Sequence, residues 1–589
     1  MATKLKPVDA VIVGFGWTGA VLARELTKKA GLNVLALERG GMRDTIPHFA
    51  APMIHDELRF AIRHDLMQDA SRETLTFRNK VDQTALPIRR WGSFLPGNGV
   101  GGAGVHWNGQ HYRFAPSEFR IRSHYGERYG KTFIPKEMTI QDWPVTYDEL
   151  EPYYDRFEYL CGTAGKAGNI KGVIQEGGNP FEGSRAREYP NPAMKRSLQM
   201  KMFEDATREM GFHPYVQPSS DVTQAYTNPE GVDMGSCVYC GFCERFGCEM
   251  SAKASPQSTL LPLLLKDPRF ELRTLSHVTK VNLDSGRKKA TGVTYIDSQG
   301  REFEQPADMV LLCAFGLHNA RLMMLSGIGR IYDPTTGKGS VGRNYAYQMS
   351  SSVTAHFNDK VFNPFMGAGA CAMIIDDFNY DNFDHGPLGF VGGSYICVES
   401  KGQRPIDFRN LPPGEPRWGK GWKQSVAHWY NRTFVIASFG SVTAQRSNYL
   451  DLDPNYKDGF GNPLLRMTFD FTKNDLDMSK YCTDRAADIA KHMNPDKMGI
   501  NYRKGPYSIV PYQTTHTTGG TIMGADPTTS AVNRYLQSWD VPNVFVMGAG
   551  AFPQNPSHNP TGTVGALAYW AADAITTKYL KSPGRLVPS

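Results

Sequence analysis

The sequence of 589 residues predicts an α/β protein, α+β overall, with a parallel sheet in one domain and an antiparallel sheet in a second. Three observations predict this class. An apolar, β-branched run at residues 8–14 is typical of a buried parallel strand. A glycine-rich turn and an amphipathic helical pattern over residues 18–29 follow it directly. From about residue 350 to residue 470, strand patterns such as SSVTAHF and TFVIASF dominate, which indicates a separate antiparallel region.

Composition narrows the functional class. Hydrophobic residues make up 40% and aromatic residues 11% of the chain, which excludes a disordered protein. The net charge of +7 comes from scattered basic residues, which excludes a nucleic-acid-binding surface. No apolar run approaches the roughly 20 residues of a membrane span. The first residues run from a short basic stub into a strand, so we expect no export signal in the chain itself.

Hydrophobic periodicity predicts the remaining regular elements. Apolar spacing predicts helices over residues 145–160, 197–211, 316–326, 474–493 and 561–580, with Asn474 as a possible N-cap of the fourth. Short apolar runs predict further buried strands at residues 33–38, 309–314 and 543–549.

A glycine pattern lies between the first predicted strand and the first predicted helix. Gly14, Gly16 and Gly19 form the sequence G-x-G-x-x-G. The first glycine permits a tight turn, the second lets the backbone approach a pyrophosphate, and the third lets the helix pack closely on the strand. Glu38 ends the next predicted strand, where it would accept hydrogen bonds from ribose hydroxyls. This context predicts a Rossmann-like dinucleotide site rather than a turn without a ligand, and it does not separate FAD from NAD.

Four later segments match one family in the right order. Residues 101–107 (GGAGVHW) resemble the flavin-contacting signature of the glucose–methanol–choline (GMC) oxidoreductases, and residues 313–329 resemble the second signature of that family. Residues 341–348 resemble its V-G-x-N-x-x-D-H sequence, with Gln348 in place of the histidine. Residues 558–563 (HNPTGT) resemble its C-terminal active-site turn.

The GMC resemblance implies FAD as the cofactor. Besides Gly14, Gly16, Gly19 and Glu38, it implies flavin or adenine contacts at Gly101, Gly102, His106, Trp107, Val278, Ala314 and Thr561. In some relatives the histidine of the first signature is bonded covalently to the C8 methyl group of the flavin. His106 therefore has two possible roles, as the site of a covalent link or as a side chain that packs near the ring.

The same resemblance implies a catalytic pair. GMC proteins place a histidine base and a His or Asn partner beside flavin N5. His516 lies in the segment TTHTTGG, which resembles the one that carries the base, and Asn559 matches the partner. His558 is a rival for the second position, although the N-P-T-x-T register favours Asn559. An unperturbed imidazole pKa of about 6.5 already suits a base, so we expect little retuning.

Four of the nine cysteines lie within one short block. Cys237, Cys240, Cys243 and Cys248 have the spacing C-x2-C-x2-C-x4-C. Thiolates favour zinc or an iron–sulfur cluster, and the spacing alone does not choose. A single compact run resembles cluster-binding loops more than the two separated halves of a structural zinc site. Glucose dehydrogenases of this type carry a 3Fe–4S cluster on three thiolates, which would leave one cysteine spare; zinc and disulfides remain alternatives.

Within the family, the chain resembles the flavoprotein subunits of bacterial membrane-bound sugar and sugar-acid dehydrogenases. Three segments carry this closer resemblance: the start VDAVIVGFGWTG, the run RHDLMQDASRETLT at residues 63–76 and the cysteine block CVYCGFCERFGCEM. It implies oxidation of a secondary alcohol of a sugar acid, D-gluconate to 2-dehydro-D-gluconate, with fructose, sorbitol, 2-ketogluconate or a glycoside C3 hydroxyl as other substrates. A GMC oxidase that uses oxygen, and a flavin-bearing lyase or binding protein with structural zinc, are the remaining alternatives.

The resemblance also implies partners and a location. Electrons would leave singly through the cluster to a multihaem cytochrome c subunit, and a small subunit would carry the export signal. The complex would lie in the periplasm, bound to the inner membrane through those partners. No spacing among the Arg and Lys residues from 350 to 510 indicates an anchor for the substrate carboxylate.

The resemblance divides the chain into two discontinuous domains. Residues 1–115, 230–345 and 506–589 would form the FAD-binding domain, which includes the cysteine block. Residues 116–229 and 346–505 would form the substrate-binding domain and its surface excursions.

Overall fold

The computed structural model describes residues 2–50, 56–69, 74–89 and 94–588. Its first large sheet has eight strands and is parallel at its centre. In order across the sheet the strands are Phe270–Arg273, Val34–Leu37, Val8–Val13, Glu302–Leu312, Ala290–Ile296 and His277–Leu283. Thr3–Lys4 and Val544–Val546 also pair with Glu302–Leu312.

The opening βαβ unit follows directly from the sequence pattern. Val8–Val13 lies between two parallel neighbours, and its last four residues are buried, which is why it is apolar and β-branched. The helix Trp17–Ala30 follows, with Lys28 and Lys29 in its last turn, where they complement the negative end of the helix dipole. The predicted strand, helix and second strand are confirmed.

The second large sheet is antiparallel throughout, as the strand patterns predict. It has six strands. In order they are Tyr215–Val216, Gly367–Ile375, Ser394–Lys401, Thr433–Gly440, Met349–His356 and Lys497–Asn501. The helices Leu198–Glu209 and Lys473–His492 pack on this sheet and close a second hydrophobic core.

The N-cap expected for one long helix is wrong. The helix begins at Lys473, and its N-cap is Thr472, whose backbone N–H donates to the Asp475 carboxylate at 2.8 Å. Asn474 lies one position inside the helix and donates instead to the carbonyl of Val391, 3.0 Å away. A threonine followed three residues later by an acid is a capping box, and here that signal runs from Thr472 to Asp475, on either side of Asn474.

The other helices and small sheets complete the described chain. The remaining α-helices are Ala103–His106, Ile121–Tyr129, Tyr147–Cys161, Pro256–Thr259, Leu261–Leu264, Gly316–Ser326, Gly419–Trp429 and Thr561–Ala574. A four-stranded sheet contains Tyr449–Lys457, Pro463–Thr468, Leu75–Arg78 and Leu86–Pro87. Two-stranded pairs join Tyr226–Thr227 with Asp233–Met234, Ala346–Tyr347 with Thr517–Thr518, Ala164–Gly165 with Asn191–Pro192, and Asn169–Ile170 with Val173–Ile174. Within the described ranges, none of the helices combines the length and apolar character that crossing a bilayer requires.

Both large sheets contribute to one cavity. The parallel strands end at Val13 and Leu37, and both residues line it. The antiparallel strands Ser394–Lys401 and Thr433–Gly440 contribute side chains to the opposite part of the wall. Ligands of open α/β sheets bind at the carboxyl ends of the parallel strands, and the fold places the cavity at that edge.

Candidate active site

The cavity encloses about 340 Å³, which is within the range of small-molecule and cofactor sites. Most of the sequence-predicted cofactor residues line it: Gly14, Gly16, Glu38, Gly102, His106, Trp107, Val278, Ala314 and Thr561. His516 and Asn559 line the same cavity. Gly19 and Gly101 are not among the residues that line it.

Two of the three glycines in the first turn, Gly14 and Gly19, leave no room for a side chain. Gly14 has φ of +91°, and a Cβ there would lie 2.9 Å from the Cα of Ala314. A Cβ on Gly19 would lie 2.5 Å from the carbonyl oxygen of Gly14, so this glycine lets the helix pack closely on the strand. Gly16 is the N-cap of the helix Trp17–Ala30, and no side chain caps that end. The free N–H groups and the positive end of the helix dipole therefore favour an anion such as a pyrophosphate.

Glu38 holds three backbone segments together at the cavity wall. Its Oε2 accepts from Phe15 N at 3.0 Å, and its Oε1 accepts from Gly40 N at 2.8 Å and Gly99 N at 3.3 Å. A carboxylate has about four lone-pair positions, so one remains for a ribose hydroxyl.

The second glycine segment lies directly against the first turn, because a Cβ on Gly102 would lie 3.3 Å from the Cα of Gly16. The N–H of Gly101 donates to the carbonyl of Phe15 at 2.7 Å, which ties this segment to the first turn. His106 is buried, and its Nε2 donates to the Leu95 carbonyl at 2.8 Å, so its Nδ1 carries no proton. Within the described chain that Nδ1 has no hydrogen-bond partner, and burial lowers the pKa of His106 to about 4. The neighbouring Trp107 donates its indole N–H to Ala254 at 2.7 Å.

His516 has one nitrogen fixed and one free. Its Nδ1 lies 2.6 Å from Oε1 of Gln348. The Nε2 of Gln348 donates to the carbonyl of Ser557, so its oxygen must face the histidine. An amide oxygen only accepts, which means that the proton of neutral His516 is on Nδ1. Nε2 therefore carries the lone pair and can take a proton.

Burial changes the pKa of His516 more than the sequence suggests. Desolvation lowers the pKa of His516 to about 4, and the nearby carboxylate of Glu244 opposes this only in part. The expectation of an almost unperturbed imidazole is therefore wrong. The imidazole of His516 is neutral throughout the physiological range because its charged form loses hydration in the cavity wall.

Asn559, rather than His558, presents its side chain to the cavity. The Oδ1 of Asn559 accepts from the Tyr395 hydroxyl at 3.1 Å, and its Nδ2 donates to Oε1 of Gln110. His558 points elsewhere: its ring stacks on Tyr112 with centroids 4.2 Å apart, and its two nitrogens lie 2.9 Å from the Tyr380 hydroxyl and 3.1 Å from Asp376.

The four clustered cysteines line a second, small cavity. Cys237, Cys240, Cys243 and Cys248 are all free thiols, and together with Asp221 they surround about 20 Å³. Backbone N–H groups donate to two of the sulfurs, from Tyr239 to Cys237 at 3.5 Å and from Lys253 to Cys248 at 3.4 Å. Burial raises the pKa of the Cys237, Cys240 and Cys243 thiols, so a positive ion would be needed to hold them as thiolates.

Thiols are ligands that zinc and iron–sulfur clusters favour, but the described part of the chain does not arrange the four sulfurs as a metal site. Among residues 2–50, 56–69, 74–89 and 94–588, no group of three or more His, Cys, Asp or Glu side chains is arranged to hold a metal ion. The cysteine spacing predicts the ligands, and the fold gathers all four around one cavity.

The cysteine segment is hydrogen-bonded directly to the part of the larger cavity's wall that contains His106 and Trp107. The N–H of Arg245 donates to the His106 carbonyl at 2.8 Å. The buried ammonium of Lys253 donates to the carbonyls of Trp107 and Cys243, both at 2.6 Å. The two cavities therefore share a wall, and Glu244, between Cys243 and Cys248, lines the larger one.

Comparison with known proteins decides the family. Two GMC oxidoreductase family models match, one at residues 144–350 and the other at residues 444–568. The gluconate 2-dehydrogenase flavoprotein of Pantoea cypripedii is 52% identical over 594 residues, which cover 100% of this chain and 96% of that protein. The chain belongs to the GMC oxidoreductase family. This GMC oxidoreductase is therefore an FAD enzyme, and the fold is the one that the sequence predicts.

More distant relatives of this GMC oxidoreductase have varied names. The 2-methyl-1,2-propanediol dehydrogenase of Mycolicibacterium austroafricanum is 26% identical, over an alignment that covers 98% of this chain and 97% of that protein. The fructose dehydrogenase large subunit of Gluconobacter japonicus is 23% identical, over an alignment that covers 98% of this chain and 99% of that protein. The solved structure of pyridoxine 4-oxidase from Mesorbium loti has a TM-score of 0.57 at 15% identity, covering 96% and 98% of the two chains, which shows the shared fold.

Sequence reasoning missed four polar residues around the pair. Gln110, Glu399, Lys401 and Glu244 all line the cavity. Lys401 Nζ lies 3.0 Å from Glu399 and 3.3 Å from Glu244. The alternation of polar side chains in the strand Ser394–Lys401 is the only signal that could have indicated two of them.

Proposed function

We propose that this GMC oxidoreductase is a dehydrogenase that oxidises a secondary alcohol of a sugar acid, D-gluconate to 2-dehydro-D-gluconate. The observation that carries the proposal is the unprotonated Nε2 of His516 on the wall of the FAD cavity, with Nδ1 held by Gln348. The full-length similarity to a gluconate 2-dehydrogenase flavoprotein supports the choice of substrate.

In the proposed reaction, His516 removes the proton of the substrate hydroxyl. Its Nε2 is neutral near pH 7 because the pKa of the ring is lowered to about 4. A positioned general base contributes roughly 10²–10⁴-fold to a rate. One N–H of Asn559 donates to Gln110, and the second would donate to the substrate oxygen as negative charge develops on it.

FAD, when bound, supplies the acceptor for the hydride that leaves the substrate carbon. The residues that would hold it are those of the cavity wall: Gly14 and Gly16 at the pyrophosphate, Glu38 at the ribose, and Gly102 and Trp107 in the adjoining part of the wall. The turn that has no room for a Cβ at Gly14 or Gly19 and the uncapped helix end fit such a ligand.

His106 would carry a covalent flavin link. The support is its buried Nδ1, which bears a lone pair and has no partner in the described chain. Such a bond would retain the cofactor and raise its potential.

Cys237, Cys240, Cys243 and Cys248 would hold an iron–sulfur cluster, of the 3Fe–4S type if one of them is spare. Four free thiols around one cavity and two N–H donors to sulfur support this assignment. The cluster would supply a carrier of single electrons beside a two-electron cofactor. The Lys253 bridge between Trp107 and Cys243 supports its placement in electronic contact with the flavin site.

The partners proposed from the family resemblance are a multihaem cytochrome c subunit and a small subunit with an export signal. They would place this chain in the periplasm, attached to the inner membrane through those subunits. The FAD-binding domain would comprise residues 1–115, 230–345 and 506–589, and the substrate-binding domain residues 116–229 and 346–505.

A substrate panel tests the proposed function. The purified protein is mixed anaerobically with gluconate, fructose, sorbitol, 2-ketogluconate and a glucoside, with an artificial electron acceptor. We expect gluconate to give the highest kcat/KM and 2-dehydrogluconate as product. Turnover of fructose or sorbitol alone would show that the substrate is that sugar or polyol rather than gluconate. Release of peroxide in air without an acceptor would indicate an oxidase. No turnover of any sugar, polyol or sugar acid would contradict the proposal.

A further inference from the structure

A chain of hydrogen bonds runs along the cavity wall from Lys401 to Asn559. Lys401 Nζ donates to Oε2 of Glu399 at 3.0 Å, and Gln110 Nε2 donates to Oε1 of Glu399 at 3.3 Å. Gln110 Oε1 accepts from Nδ2 of Asn559, whose Oδ1 accepts from Tyr395 at 3.1 Å. Gln110, Tyr395 and Asn559 are buried, so each of these polar groups depends on its protein partner.

The chemistry of Glu399 fixes the direction of the whole chain. A carboxylate paired with an ammonium only accepts hydrogen bonds, so Gln110 must turn its NH₂ group toward Glu399. Its oxygen then faces Asn559, and an amide oxygen also only accepts. Asn559 must therefore turn its NH₂ group toward Gln110 and its oxygen toward Tyr395.

This orientation leaves one N–H of Asn559 for the cavity. When the alcohol gives its proton to His516, its oxygen is left with negative charge. That oxygen is stabilised by a hydrogen-bond donor. An Asn559 amide in the opposite orientation would place an oxygen beside that charge. We propose that Glu399, acting through Gln110, is the positioning residue that makes Asn559 a hydrogen-bond donor to the substrate oxygen. The inference rests on the proposed role of Asn559 in alcohol oxidation.

The substitution Glu399→Gln reverses the chain without changing its shape. Lys401 has only donors, so it holds the oxygen of the new amide and leaves the NH₂ group for Gln110. Gln110 must then turn its oxygen toward position 399 and its NH₂ group toward Asn559. Asn559 turns in response, and its oxygen rather than its nitrogen lies nearer to the substrate.

A double-mutant cycle tests the coupling. The limiting rate of flavin reduction by gluconate is measured for the wild type, Glu399→Gln, Asn559→Ala and the double variant, together with the half-saturating gluconate concentration. We expect Glu399→Gln to lower the rate about tenfold to a hundredfold, with little change in half-saturation. In the Asn559→Ala background the same substitution should change the rate by less than about twofold, because the group that it orients is gone.

Glu244→Gln is the matched control. Glu244 is the other carboxylate on Lys401, and its substitution removes the same charge from the same cavity wall. We expect its effect to be the same in both backgrounds. Three results would overturn the proposal. Glu399→Gln could slow flavin reduction as much in the Asn559→Ala background as in the wild type, or it could leave the rate unchanged when introduced into the wild type. Glu244→Gln could also show the same coupling to Asn559 as Glu399→Gln does.

Two alternative forms of the cycle apply if a variant does not bind FAD or if gluconate is not a substrate. If Glu399→Gln does not bind FAD, the cycle is run with Gln110→Met, for which we expect the same coupling to Asn559. If gluconate does not reduce the wild-type flavin, the proposed substrate is wrong. The cycle then uses the panel substrate that does reduce it, because coupling between Glu399 and Asn559 does not depend on which alcohol is oxidised.

Discussion

The Oε1 atom of Gln348 lies 2.6 Å from the Nδ1 atom of His516. Gln348 is completely buried, and its NH₂ group is engaged by the Ser557 carbonyl, so the amide cannot rotate without losing a bond. Gln348 N also donates to the His516 carbonyl at 3.1 Å. The imidazole is therefore held in one tautomer and one position before any substrate arrives.

Two substitutions of Gln348 should act in different ways. Gln348→Leu leaves Nδ1–H without an acceptor, and we expect flavin reduction to slow by about tenfold to a hundredfold. Gln348→Glu places a carboxylate against the ring, which stabilises the charged imidazole and raises its pKa. The acid limb of the pH profile of flavin reduction should therefore move upward by one unit or more in Gln348→Glu alone. Unchanged pH profiles and rates in both variants, with normal FAD content, would show that Gln348 does not act on His516.

The wild-type pH profile reports the lowered pKa of His516. The neutral ring is the active form, and burial lowers its pKa to about 4. We expect the limiting rate of flavin reduction to be constant from neutrality down to about pH 5 and to fall tenfold per unit below pH 4. Rapid mixing from neutral buffer keeps the protein folded until the reaction begins. A limb near the unperturbed value of about 6.5 would mean that the cavity does not desolvate the base.

A covalent flavin should depend on His106. After acid precipitation of the wild type, we expect the yellow colour to remain with the protein, because the Nδ1 lone pair of His106 is available for the link. His106→Ala should release its flavin into the supernatant. His318 lines the same cavity, so His318→Ala is the control and should retain attached flavin. Flavin that washes from the wild-type precipitate would exclude the link.

The cysteine block should contain iron and acid-labile sulfide. We expect both in the anaerobically purified wild type, and their loss in three of the four serine variants at Cys237, Cys240, Cys243 and Cys248. Cys397→Ser is the control, because Cys397 is a buried thiol in the antiparallel sheet. Zinc without sulfide, or no metal after careful anaerobic handling, would contradict the cluster.

Local patterns made part of this site predictable. The turn at Gly14 and Gly16, the strand that ends near Glu38 and the four cysteine positions are defined by residues close together in the chain. Close spacing fixes such features because the chain has few ways to fold between the residues. The family motif then indicated His516 and Asn559, which no periodicity separates from the other histidines and asparagines.

Long-range pairing hid the rest. Gln348 meets His516 because the strand Ala346–Tyr347 pairs with Thr517–Thr518, and that register brings together residues that are distant in sequence. In the sequence, Gln348 was only a departure from a family histidine. Glu399 and Lys401 share one face of a strand, but the sequence does not tell which face meets the cavity. The pKa of His516 likewise depends on burial by distant segments.

In the proposed reaction, His516 takes the substrate proton as flavin is reduced. The most direct test of this step is the anaerobic, single-turnover bleaching of the flavin by gluconate in the wild type and in His516→Ala. We predict that the variant binds FAD as the wild type does but is reduced at least about a hundredfold more slowly. Equal rates of bleaching in the two proteins would contradict the account.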